Sequence, residues 1–167
     1  MSIVRRAAWL LLLACAWAQA AELLPFGTGD MARLLAERQE RPFVLTLWST
    51  DCPHCRTSLR QLAALAKAHP KLDLVVVNTD GPDDGKTVAD MLAAVGFGAR
   101  DTWVFAGAAP ERLRYEIDRH WGGEMPRTYL FESDHRFAAF SGPVDPAALR
   151  QWLARNSNDG QPQDRRP

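Results

Sequence analysis

Pro42-Phe43-Val44-Leu45-Thr46-Leu47-Trp48-Ser49-Thr50-Asp51-Cys52-Pro53-His54-Cys55 is the stretch that decides how the chain is read. Residues 42–48 are β-rich and almost wholly apolar, which predicts a short strand buried on both faces. Ser49 to Pro53 is turn-like. From His54 a helical period takes over, with Leu59, Leu62, Leu65 and Ala66 at helical spacing as far as His69-Pro70. The two cysteines therefore lie across one turn, where a buried strand hands over to a helix.

That position has chemical consequences. The spacing lets two sulfurs close a small disulfide ring with little backbone movement. Free amides and the positive end of the helix dipole favour a thiolate on Cys52. A thiol of pKa about 8.5 is only about 3% ionised at pH 7, and a fall of roughly 1.5 units makes that half, at about 2 kcal/mol of differential stabilisation. The helix end and the neighbouring His54 together can supply it. Cys55, one turn in, is expected to be shielded and to act as the resolving thiol. A closed structural zinc site needs four ligands and has only one cysteine pair to draw on. Haem attachment needs His directly after the second Cys, where Arg56 stands. An inert staple over so short a loop constrains little of the unfolded chain. A dithiol/disulfide switch is the leading reading. The alternative is a binding module in which Cys52, Cys55 and His54 hold a soft ion such as Cu(I) for delivery.

Working outward, the N-terminus sets the compartment. Arg5 and Arg6 precede an apolar run from Ala7 to Ala18, and Ala18-Gln19-Ala20 offers a signal-peptidase site. The run is too short to cross a bilayer, which takes roughly 20 residues. Residues 1–20 are thus expected to be a signal peptide, residues 21–156 one domain, and residues 157–167 a disordered tail with almost no apolar side chain. Leu12-Leu13-Ala14-Cys15 also resembles a lipoprotein cleavage box, with Cys15 as the lipid anchor. The expected location is the bacterial periplasm. The whole chain carries 20 basic and 20 acidic residues, no footprint for nucleic acid or an anionic membrane.

The remaining pattern alternates strand and helix. Asp30 to Gln39 reads as a helix that Asp30 caps, with Met31, Leu34 and Leu35 on one face. Leu72 to Asn78 is a second buried strand, Gly81 to Gly85 a loop, Thr87 to Val95 a short helix and Thr102 to Phe105 a strand. Pro110 to His120 reads as helix. Thr128–Glu132 and Arg136–Ser141 form a hairpin around Ser133-Asp134-His135, and Asp145-Pro146 starts a last helix. A strand–helix–strand crossover implies a parallel pair. The fold class is a three-layer α/β domain with helices on both faces of a mixed sheet. Trp48 and Trp103 read as packing, His69 and His135 as surface residues, and His120-Trp121 as packing or a groove lining. Asp80, Asp83 and Asp84 lack the spacing and closing Glu of a calcium loop.

Leu47 to Cys55 resembles the active-site segment of the thioredoxin-like superfamily, closest in layout to its exported TlpA-like branch. Gly122-Gly123-Glu124-Met125-Pro126-Arg127-Thr128-Tyr129-Leu130-Phe131 is similar to the segment where that superfamily sets a cis-proline opposite the cysteines. Residues 24–155 follow the superfamily order. The resemblance implies a thioredoxin-like three-layer fold, a cis Met125–Pro126 bond, and a substrate-binding segment at Met125, Pro126 and Arg127. It implies a protein thiol–disulfide oxidoreductase with Cys52 and Cys55 catalytic. Beside them, Asp51, Pro53 and His54 are expected to tune the pair, the Asp51 carboxylate opposing the thiolate that His54 and the helix end favour. No metal or cofactor is expected. The implied partners are exported proteins with thiols or disulfides and a membrane redox protein. Several features depart from the pattern. Asp51 stands where an aromatic residue is usual, and Thr46 replaces a buried acid that serves the resolving thiol. Pro53-His54 is the dipeptide of DsbA-type oxidants, without room for their helical insertion. Arg127 replaces a Glu common in cytochrome-maturation members.

Overall fold

Phe43, Leu45 and Leu47 leave one side of strand β2 (Phe43–Trp48) and Val44, Thr46 and Trp48 the other, and all six are buried. A strand with no solvent face belongs in the middle of a sheet. The computed structural model, which describes residues 23–97, 102–107 and 109–156, places it there. The expected signal peptide with Cys15, and the expected tail at 157–167, lie outside the described residues.

In chain order the elements are β1 (Leu24–Phe26), α1 (Asp30–Glu37), β2, α2 (Cys55–Ala68) and β3 (Leu74–Asn78). There follow α3 (Gly85–Ala94), β4 (Thr102–Phe105), α4 (Pro110–Ile117), β5 (Arg127–Phe131), β6 (Phe137–Ser141) and α5 (Pro146–Asn156). The strands form one sheet of order β1-β4-β3-β2-β5-β6. β2 and β3 pair in parallel across α2, as the crossover predicts, and β3–β4 and β4–β1 are parallel too. The β5–β6 hairpin joins antiparallel to β2.

The period-two alternation splits the interior into two layers. Val44, Trp48, Val76 and Leu130 pack with Cys55, Leu59 and Leu62 of α2 and with Leu149, Trp152 and Leu153 of α5. Leu45, Leu47, Val75, Val77 and Tyr129 pack on the other face with Met31 and Leu34 of α1 and Leu113 and Ile117 of α4. The three-layer expectation is met.

Some boundaries differ from the sequence reading. β1 was not expected: it is three residues long with Pro25 at its centre, which an edge position tolerates. Asp30 does not cap α1 from outside. It is the first helical residue, Gly29 in a left-handed conformation (φ 86°) precedes it, and its carboxylate accepts the Gly27 N–H at 2.7 Å. The Gly81–Gly85 loop contains a 3-10 turn, Pro82–Asp84, that runs directly into α3. His135, expected at the surface, occupies a left-handed position (φ 63°) with Nε2 2.9 Å from the Arg38 carbonyl. Asp145 behaves as expected, accepting the Ala147 N–H at 2.9 Å ahead of α5.

Candidate functional site

β2 ends at Trp48, and the chain turns through Ser49–His54 before α2 begins. The turn is held by its own backbone: Cys52 N–H donates to the Ser49 carbonyl at 3.3 Å and Cys55 N–H to the Cys52 carbonyl at 3.2 Å. His54 is the N-cap of α2 through its backbone alone, without a side-chain bond. Cys52 and Cys55 are joined as a disulfide, their Cα atoms 5.4 Å apart. Cys55 is fully buried in the α2 layer, whereas Cys52 is half-buried and Asp51, Pro53 and His54 are exposed. The two ends of the disulfide are thus unequally covered: residue Cys52 is partly exposed and residue Cys55 is enclosed.

The second part of the site arrives from β5. Leu47 pairs with Arg127 in the antiparallel ladder, so the next step along each strand brings Trp48 and Pro126 to the same end of the sheet. That is the end from which the cysteine turn leaves. The Met125–Pro126 bond is cis. Pro126 is buried, its carbonyl accepts the Gly142 N–H at 2.8 Å, and half-buried Met125 packs against both layers. Thr79, just beyond β3, ties the pieces together. Its N–H donates to the Trp48 carbonyl at 2.9 Å, and its hydroxyl lies 3.4 Å from the Met125 sulfur. Cys52, Cys55, Asp51, Pro53, His54, Met125 and Pro126 thus gather at one sheet end. Arg127 contributes its backbone there but sends its side chain elsewhere. Its guanidinium donates to Asp118 at 3.0 Å and to the Ser141 hydroxyl at 2.8 Å, and lies over the Tyr129 ring.

Two acids belong to this region in ways their sequence context does not announce. Asp80, within the stretch weighed for calcium, braces the cysteine turn: it accepts the Thr50 N–H at 2.7 Å and the Asn78 amide at 2.9 Å. Burial works to raise its pKa, but hydrogen bonds from Ser49, Thr50 and Asn78 outweigh it and hold the carboxyl below the usual range. Asp118 is buried and shares one oxygen between Arg127 and the Tyr129 hydroxyl. Among the described residues it is the buried carboxylate, and it lies across the sheet from Cys55. Where the resemblance places an acid for the resolving thiol, Thr46 instead meets Thr128, hydroxyl to hydroxyl at 3.1 Å. Trp48 and Trp103 are core residues as expected. Trp121 is buried packing whose indole N–H donates to the Glu124 carbonyl at 2.9 Å, while His120 is exposed. Among the described residues no three His, Cys, Asp or Glu side chains converge to hold a metal.

No protein-family model and no curated protein matches the sequence. Solved structures do match. A secreted Mycobacterium tuberculosis disulfide oxidoreductase homologous to E. coli DsbE aligns over 72% of this chain and 85% of its own, at 19% identity and TM-score 0.55. A DsbF homologue from Corynebacterium diphtheriae aligns over 72% of this chain and 75% of its own, at 21% identity and TM-score 0.55. The fold is thioredoxin-like. A thiol:disulfide interchange protein of the thioredoxin family from Chlorobium tepidum supports the same conclusion, at 17% identity, TM-score 0.55, and coverage of 73% and 83%. Within this thioredoxin-like domain the bonded cysteine pair takes the end of the first central strand, and the cis-proline lies at the facing end of β5.

Proposed function

We propose that the protein is a thiol–disulfide oxidoreductase acting on exported proteins, with Cys52 as the exchanging sulfur and Cys55 as the resolving one. The observation that carries this reading is the asymmetry of the pair: one disulfide, joining the half-buried residue Cys52 at the turn to the fully buried Cys55 inside α2. A substrate thiolate attacks Cys52 Sγ, the Cys52–Cys55 bond breaks, and the electron pair leaves on Cys55 Sγ, which takes up a proton. A second substrate thiolate then attacks the substrate sulfur of the mixed disulfide and expels the Cys52 thiolate. Two electrons pass from substrate to protein, and the reverse sequence reduces a substrate disulfide. Met125 and Pro126 line the approach to Cys52 and offer backbone to a bound chain segment, while Asp51, Pro53 and His54 set the thiolate's stability. Arg127 acts in this reading by anchoring that segment.

The arginine-bearing apolar leader and the secreted Mycobacterium tuberculosis neighbour support work outside the cytoplasm. In this reading the protein works in the periplasm and a membrane redox protein resets the pair. The test is direct. Cys52→Ser abolishes exchange with a model disulfide, whereas Cys55→Ala accumulates mixed disulfides through Cys52. Alkylation of Cys55 before Cys52 in the reduced protein at neutral pH overturns the assignment.

A further inference from the structure

Resting on the oxidoreductase reading, we propose that Asp118 is a positioning residue for protein substrates, holding the Met125–Pro126 segment in place through Arg127. The segment is the last part of a connection that leaves α4 at Ile117 and enters β5 at Arg127. The Asp118–Arg127 ion pair, 3.0 Å long, closes this connection at its base. The residue next to Pro126 is thereby fixed to the residue next to α4. The same guanidinium reaches Ser141 at the end of β6, and the Tyr129 hydroxyl makes a second contact with Asp118. Inside the loop, the Trp121 indole bonds to the Glu124 carbonyl, one residue before Met125. Each contact immobilises backbone on one side or the other of the cis bond, and the ion pair itself lies on the sheet face opposite Cys55.

The arrangement has a consequence for specificity. The charge of Arg127 is spent internally, so it does not offer a salt bridge to a substrate carboxylate. Recognition beside Cys52 then depends on where the Met125 backbone is held, which matters for a polypeptide and not for a small thiol.

The test compares two reductants of the oxidised full-length protein: reduced, unfolded ribonuclease A as the polypeptide probe and dithiothreitol as the small one. Asp118→Asn is expected to raise the apparent KM for the ribonuclease about tenfold with little change in kcat, while the dithiothreitol rate stays within about twofold. Because Asp118→Asn leaves Arg127 without its counter-charge, the neutral pair Asp118→Asn/Arg127→Gln serves as the second variant, with the same selective rise expected. Equal slowing with both probes, or an unchanged KM in both variants, overturns the proposal. Failure of the unsubstituted protein to be reduced by either probe overturns the oxidoreductase reading instead, so the two failures are distinguishable.

Discussion

Asp51 and His54 stand on either side of Cys52-Pro53 and are both exposed, so their fields reach the sulfur largely through solvent. A carboxylate destabilises a nearby thiolate and an imidazolium stabilises it. Exposed charges act at the level of about 0.2–1 kcal/mol, or roughly up to fivefold in a thiolate population. Asp51→Asn should therefore speed alkylation of reduced Cys52 at neutral pH, and His54→Ala should slow it, each by up to about fivefold. Unchanged alkylation-versus-pH curves in both variants would place the tuning elsewhere. Asp80 acts on the same turn by geometry. Its removal in Asp80→Ala strands the Thr50 N–H and the Asn78 amide, which should cost about 1–3 kcal/mol in urea unfolding. Cys52 and Cys55 could be read from the sequence because their spacing carries chemistry by itself. Asp80 could not, since its role exists only once β3 lies beside β2.

At the level of elements, β2, β3, α2 and the β5–β6 hairpin were legible because each has a hydrophobic period long enough to see. β1 was not, because three residues with a central proline carry no period and become a strand only through the ladder to β4. The α4–β5 connection shows the same limit at the site. Nothing in Asp118 or Arg127 alone indicates that they meet, and only the chain reversal before β5 brings them together. Their meeting gives an acid prediction. Burial works against the Asp118 carboxylate, but the His120 N–H, Arg127 and the Tyr129 hydroxyl outweigh it and hold its pKa below the ordinary value. A depressed carboxyl contributes stability that is complete above the unfolded pKa of about 3.9 and is lost as pH falls through the lower folded value. The stability gap between the unsubstituted protein and Asp118→Asn should thus be constant near neutrality and close below about pH 4. A gap that instead widens in acid would contradict the ion-pair account.

For the molecule as a whole, the sheet separates shared stability from local chemistry. Both layers are needed to bury β2 and β3, yet only the layer under α2 contains Cys55. Leu59 lies one turn beyond Cys55 on the same face of α2 and is 1% exposed, while Leu34 of α1 lies across the sheet at 0%. Truncating either to alanine should lower global stability by about 2–5 kcal/mol, because each leaves a cavity in a close-packed layer. If Cys55 became accessible only by global unfolding, equal losses of stability would raise its alkylation in the reduced protein equally. Thiols buried in one element are instead exposed by local opening of that element, which requires less free energy than unfolding the domain. The Leu59→Ala cavity loosens the first turns of α2 directly, and the Leu34→Ala cavity does not touch them. Leu59→Ala should therefore speed Cys55 alkylation beyond what its urea midpoint accounts for, whereas Leu34→Ala should follow its midpoint. Matching increases from the two variants at matched stability would mean that the sheet transmits packing changes to the dithiol, and that the two layers do not act separately.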